Sequence, residues 1–314
     1  MPIRSRKKSS PDDTHGVHHL DPMMRALKAL HSAAQPDAMT AEELRRQRRS
    51  QELLGRLAAP TAGMSWEEFR LDGMRAAWMR LKTPHSGRHA ILYCHGGGYT
   101  SGNLGYSRVL AAKLTHATGY DTLAFEYRLA PEHPYPAAPE DAMRAWAYLM
   151  ERGYDAGRIV LAGDSAGGNL ALVLCHRLKQ AGRPLPGALL LMSPWTDMTM
   201  SGPSYRDRAD IDPMLTPGYI AAARAAYAGA ADPASPDLSP LFGSFAGFPP
   251  TLIQTGDHEL LYSDSARLAE ALHACGVPCR LEVAEGMWHV YQMFPLRKAS
   301  AAITSAARFL LEQW

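Results

Sequence analysis

From residue 88 onward, short apolar runs alternate with stretches of helical periodicity. The runs Ala90–Cys94, Thr122–Glu126, Ile159–Gly163, Ala188–Ser193, Thr251–Thr255 and Arg280–Ala284 read as strands buried on both faces, being short, continuous and bounded by turn residues. Between them, Pro139–Arg152, Asn169–Ala181 and Ser263–Cys275 carry apolar positions at helical spacing. This β–α rhythm predicts an α/β fold with a mostly parallel sheet and helices on both faces. Upstream, Glu68–Leu71 and Arg75–Arg80 flank Asp72-Gly73, a hairpin signal, so the sheet opens with antiparallel strands.

The first 60 residues follow another pattern. Asp21-Pro22 starts a helix bearing Met23, Met24, Leu27 and Leu30, with proline in its first turn. Thr40 and Glu43 form a capping box ahead of a second helix reaching Leu57. Its basic run Arg45-Arg46-Gln47-Arg48-Arg49 reads as a solvated face rather than a phosphate patch. Residues 1 to about 18, with His15, His18 and His19, read as a mobile tail, since no carboxylate or cysteine is placed to complete a metal site.

Composition narrows the classes. The 314 residues are 46% hydrophobic, enough for a large core in one α/β unit. Thirty-three basic against 31 acidic residues give a net charge of +2, which argues for neither nucleic acid nor a membrane as partner. Arg4, Arg6, Lys7 and Lys8 are followed by Pro11-Asp12-Asp13 and not by an apolar core, so no signal peptide is read. Cys94, Cys175, Cys275 and Cys279 lack a framework spacing; a cytoplasmic location is the expectation.

The chemistry lies at strand ends. Gly163-Asp164-Ser165-Ala166-Gly167 joins an apolar strand to a helix beginning near Ala166, the arrangement of a nucleophile elbow. Glycines two residues either side of Ser165 avoid a collision across so sharp a turn. The pattern is weak alone, but His95-Gly96-Gly97-Gly98 follows another strand upstream, and acid and base candidates follow downstream. Together they point to acyl hydrolysis, with Ser165 as nucleophile and the Ala166 N–H as one oxyanion donor. Among 13 histidines, His289 is the base candidate: it follows a strand and Gly286 and comes last in the order serine, acid, histidine. His116, His176 and His273 fall in helical patterns, and His133 in a proline-rich turn. Asp257, at the end of the Thr251–Thr255 strand, is one candidate acid.

These residues resemble the hormone-sensitive-lipase-like branch of the α/β-hydrolases, the bacterial carboxylesterases. Further matches are Glu126–Glu132, His133 to Asp141, Ser193-Pro194-Trp195-Thr196-Asp197 and Gly286-Met287-Trp288-His289. The likeness runs from about residue 20 to the end. It implies an eight-stranded α/β-hydrolase sheet over residues 61–314, with a helical cap from residues 1–60 and a segment at about 196–228. It also implies that Gly97 and Gly98 complete the oxyanion hole, that His95 braces their loop, and that Glu126, Arg128 and Asp141 are structural. In the family the acid stands nine positions beyond the second residue of a Pro-Pro pair; counted from Pro250, that position is Glu259, where the family usually has aspartate. The acid is therefore Glu259 or Asp257, with Glu259 favoured.

The implied activity is hydrolysis of short- to medium-chain esters with no cofactor and no metal. Amide, lactone or thioester hydrolysis would use the same constellation, and a ligand-binding protein on an inactive scaffold is the reading from another class. Tyr99, Trp195, Met198, Met214, Met287 and Trp288 are candidate pocket residues. The family's habit implies a homodimer through Arg280–Ala284 and Ile303–Trp314.

Overall fold

A computed structural model describes residue 25 and residues 39–59, 62–85 and 87–314. Of the helix expected after Asp21-Pro22 only Arg25, helical, is described, and the histidine tail lies outside the described residues. The first described helix, α1 (Ala41–Ala58), starts as expected: the Glu43 N–H donates to Thr40 Oγ1 at 3.3 Å, and the Thr40 N–H to Glu43 Oε2 at 3.1 Å.

The hairpin β1 (Met64–Leu71) and β2 (Met74–Leu81) turns at Asp72-Gly73. The alternation then delivers β3 (Ala90–Cys94), α2 (Leu104–Thr118), β4 (Asp121–Phe125), α3 (Ala137–Glu151), β5 (Ile159–Asp164), α4 (Ala166–Gln180) and β6 (Ala188–Met192). After a short helix α5 (Ser204–Asp207) come α6 (Pro217–Ala228), β7 (Thr251–Gly256), α7 (Tyr262–Ala274), β8 (Cys279–Ala284) and α8 (Arg297–Leu311). Every expected strand is present, β3 with its expected ends and the others with ends moved by one to four residues, Met64–Leu71 most; α4 begins at Ala166, as the elbow implied.

The eight strands form one sheet in the order β1-β2-β4-β3-β5-β6-β7-β8. The first two pairings are antiparallel and all from β3 onward are parallel. Alternate residues of each strand point to opposite faces, and the core divides accordingly. Leu92, Leu161, Leu191 and Ile253 pack with Trp146 of α3, Leu170 and Leu174 of α4, and Leu268 and Leu272 of α7. Ile91, Val160, Leu190 and Leu252 pack with Leu110 and Leu114 of α2 and Ile303 and Leu310 of α8. With helices on both faces, the parallel strands must be apolar throughout, as their unbroken runs are. Loops at the strands' carboxyl ends therefore meet along one edge, where open α/β sheets bind their ligands.

Candidate active site

β5 carries the chain into the elbow. Ser165 sits at φ +54°, a backbone state costing on the order of 1–3 kcal/mol for a residue with a side chain. The surroundings hold it there: the Ser165 N–H donates to Met192 O at 2.9 Å, and Ser165 O accepts from Trp195 N at 3.0 Å. The flanking glycines are required for two different reasons. A Cβ on Gly163 would stand 2.3 Å from Gly167 O, the collision across the turn that the sequence implied; one on Gly167 would stand 2.0 Å from Cys94 O, at the end of β3.

The loop after β3 packs beside this turn. His95 is fully buried, stacks on Tyr127 at 4.1 Å, and has its Nδ1 2.8 Å from Gly96 O. Burial pushes its pKa down to about 4, so the ring is neutral. Asp164, inside the elbow motif, accepts from the Gly96 N–H at 2.9 Å and from the hydroxyls of Tyr93 and Tyr106. One buried carboxylate thus ties the two glycine motifs together. Gly97 adopts φ +112°, open in practice to glycine alone. Among the described residues, no hydrogen bond within the protein uses the N–H of Gly97, Gly98 or Ala166.

His289 follows β8 in a loop and is 6% exposed; its Nδ1 lies 3.6 Å from Glu259 Oε2. Glu259 is fully buried, accepting from Ser193 Oγ at 2.8 Å and from the Thr255 hydroxyl. Ser193 Oγ in turn accepts from Val290 N at 3.0 Å, fixing the residue beside His289. Asp257 is engaged elsewhere: it receives the Gly286 N–H at 2.7 Å and pairs with His258 Nδ1 at 2.6 Å. The glutamate, not the aspartate, is the carboxylate that stands behind the imidazole. Ser193 and Asp164 stood in motifs of the sequence and Thr255 at a strand end, but no role was read for any of them, because their partners are set by which loops meet at the sheet edge. Asp212 was missed too. It accepts from Met214, Leu215 and Leu260 N–H groups at 2.7, 3.0 and 2.7 Å, fastening a pocket wall to the Glu259 loop. Burial raises its pKa to about 6, opposed first by the nearby charge of His289.

Ser165, His289, Gly97 and Gly98 open on one cavity of about 820 Å³. Its walls come from α1 (Gln47, Gln51, Leu54), from Met214, Leu215, Tyr219 and Ile220, and from Trp195 and Val290. Of the expected pocket residues, Trp195 and Met214 line it and four do not. Tyr99 and Met198 are fully buried, Tyr99 stacked on Tyr227 at 3.7 Å. Trp288 is buried with Tyr291, and Met287 packs beside it. Their side chains were drawn into core packing, which a methionine or aromatic in sequence does not distinguish from a pocket wall.

The basic run on α1 also departs from expectation at one position. Arg45, Arg46 and Arg49 are exposed, but Arg48 turns inward. It bonds Thr100 O and Ala130 O at 2.9 Å each and holds Glu132 through two bonds of 2.8 and 2.9 Å. Gln51 Oε1 accepts from Gly102 N at 2.8 Å, Glu52 Oε2 from Gly105 N at 3.0 Å, and Arg48 O from Asn103 Nδ2 at 2.7 Å. Asp141, 1% exposed, receives the Arg128 backbone N–H and guanidinium, and Glu126 receives Leu104 N and Arg75, a structural network as expected.

A mostly parallel sheet with a serine elbow, a glycine loop beside it and a histidine after the last strand defines the α/β-hydrolase class. The chain matches the α/β-hydrolase fold family over residues 91–293. It is 37% identical to an acetyl-hydrolase of Streptomyces hygroscopicus over 264 residues, covering 83% of this chain and 86% of the relative. It is 36% identical to the carboxylesterase NlhH of Mycobacterium tuberculosis, covering 68% and 69%. Among solved structures, the esterase EstE5 superposes with a TM-score of 0.84 at 35% identity, over 93% of this chain and 99% of that one. An esterase of the bacterial hormone-sensitive lipase family does so with a TM-score of 0.85 at 34% identity, over 93% and 98%. The chain belongs to this α/β-hydrolase family, in its bacterial hormone-sensitive-lipase-like branch, and is a carboxylic ester hydrolase of the serine type. Among the described residues, no helix is long and apolar enough to cross a membrane.

Proposed function

We propose that Ser165, His289 and Glu259 are the triad of this esterase, that the N–H groups of Gly97, Gly98 and Ala166 form its oxyanion hole, and that its substrates are small to medium uncharged esters. The observation that carries the reading is the convergence on one cavity of the strained serine, the histidine backed by a buried carboxylate, and the N–H groups of Gly97 and Gly98, which have no partner among the described residues. Ser165 Oγ attacks the ester carbonyl while His289 Nε2 takes the hydroxyl proton. The carbonyl oxygen becomes an oxyanion among the three N–H donors, at the positive end of α4. His289 returns the proton to the departing alcohol, leaving an acyl group on Ser165. A water deprotonated by His289 then releases the carboxylic acid and restores the serine. Glu259 orients the imidazole and stabilises its protonated form. The 3.6 Å separation is of the kind that tightens when substrate is bound.

α1 and the stretch Met214–Ile220 act as a cap, since both wall the cavity over the serine. The cavity falls within the usual range for small-molecule sites. Short acyl chains are the expected preference, as esters of this size fill such a pocket. A kcat/KM series on p-nitrophenyl acetate, butyrate, octanoate and laurate, with Ser165→Ala as the blank, tests it. Rates should fall steeply beyond about eight acyl carbons, where the apolar wall is used up. Turnover surviving in Ser165→Ala would remove the nucleophile assignment, and a maximum at laurate would remove the acyl preference.

A homodimer through β8 and α8 belongs to the same proposal: among the described residues β8 pairs only with β7, and Val283 on it is 44% exposed. Light scattering should give twice the chain mass; the mass of one chain would refute it. A reducing, cytoplasmic setting fits four cysteines that are all free thiols.

A further inference from the structure

A second cleft, of about 570 Å³, lies at the opposite edge of the sheet from Ser165. The topology gathers four guanidinium groups there. Arg88 precedes β3 and Arg158 precedes β5, and those strands are neighbours with Ala90 paired to Ile159. Arg80 lies at the end of β2, which runs antiparallel and so ends where β4 begins, and Arg152 follows α3. The parallel strands separate this edge from the catalytic one by about 17–20 Å.

Of the four, Arg88, Arg152 and Arg158 have no carboxylate paired with them among the described residues. Arg80 is paired, with Asp121 at 3.3 Å and Glu67 at 3.1 Å, and lies 4.4 Å over the Trp78 ring. Arg152 rests 5.0 Å over Tyr148. Among the described residues, the side chains of Arg88 and Arg158 make no hydrogen bond or ion pair. Asp155, the carboxylate lining the cleft, instead accepts from the Gly157 N–H at 3.0 Å. The field is felt nearby: His89 has its proton affinity lowered by burial first and then by Arg158 and Arg88. The whole chain carries only +2, so a local excess of this size is not a general property of the surface. Trp78 and Tyr154, stacked at 5.9 Å, supply an aromatic wall.

We propose that this cleft binds a small diphosphate-bearing anion, separate from the ester site. Guanidinium forks match phosphate oxygens two at a time, and two unpaired forks just ahead of adjacent strands suit two linked phosphate groups. Free pyrophosphate and a nucleoside diphosphate share this chemistry; the aromatic wall would add to the second only.

Titration calorimetry of the full-length protein with inorganic pyrophosphate and with ADP tests the proposal, with sulfate at matched ionic strength as reference. Both should bind more tightly than sulfate. Arg88→Gln/Arg158→Gln should weaken both by about tenfold or more, while kcat/KM on p-nitrophenyl butyrate stays within about twofold. Equal affinities would identify the diphosphate alone as the determinant, and tighter ADP binding a nucleotide; either supports the site. Heats no greater than with sulfate, or equal binding by parent and double variant, would overturn it. Arg88→Gln alone changes an exposed side chain and keeps the comparison valid if the double variant folds poorly.

Discussion

Glu259 shows how neighbours fix the surroundings of a single carboxylate. Its carboxylate is closed in by the hydroxyls of Ser193 and Thr255 and faces one imidazole nitrogen. Buried carboxylates are stable only when their oxygens are so occupied, and Asp257, 27% exposed and bonded to Gly286 and His258, has no such bias toward His289. Glu259→Gln should therefore lower kcat by roughly a thousandfold or more, since an amide can neither stabilise imidazolium nor enforce its tautomer. Asp257→Asn should leave most of the turnover. Steady-state rates of the two variants on p-nitrophenyl acetate decide it, and the reverse order would move the acid to Asp257. That Glu259 would come to lie beside His289 was implied by the family's spacing counted from Pro250, whereas the hydroxyls that hold it were not legible. Ser193 and Thr255 are ordinary strand-end residues until β6 and β7 are laid side by side.

Elements were legible to the extent that their signals are local. The capping box started α1 where it should, and strand–turn–helix punctuation placed the elbow. What α1 does was hidden, because Arg48 finds Glu132 from 84 residues away, a pairing no local pattern announces. That ion pair holds the Glu132 pKa down to about 2, the Arg48 hydrogen bond being its first cause. More consequential are the bonds from Arg48 to Thr100 O and Ala130 O, which only this side chain satisfies in the described structure. Arg48→Ala should loosen the helix that walls the cavity without touching the reacting groups. The expected result is a KM raised by about three- to tenfold on butyrate with kcat changed less than twofold, together with a lower Tm. A fall in kcat at unchanged KM would show that α1 acts on the chemistry and not on the pocket.

For the molecule as a whole, pH acts through buried groups. His95 and His176 are both held down to about 4 by burial, so the fold keeps them neutral while the unfolded chain protonates them near 6.5. Their contribution to stability is complete above about pH 6.5 and is lost as pH falls toward 4, by up to about 1.4 kcal/mol per pH unit for each. Asp212 and Asp264, raised by burial to about 6 and about 8, act in the opposite sense, contributing at low pH and losing that contribution as pH rises. The informative quantity is thus a difference: Tm of His176→Gln should fall less steeply between pH 6.5 and 4 than that of the parent, even from a lower start. Parallel slopes would assign the acid sensitivity elsewhere. The bonds joining α1 to the loop at Thr100, Gly102, Asn103 and Gly105 carry a consequence at this scale as well. They make the helix a doorframe and not a door. An enzyme with a fixed aperture does not wait for an oil droplet to pull it open: it processes dissolved esters one by one along a plain saturation curve, with no burst of rate when substrate passes its solubility limit.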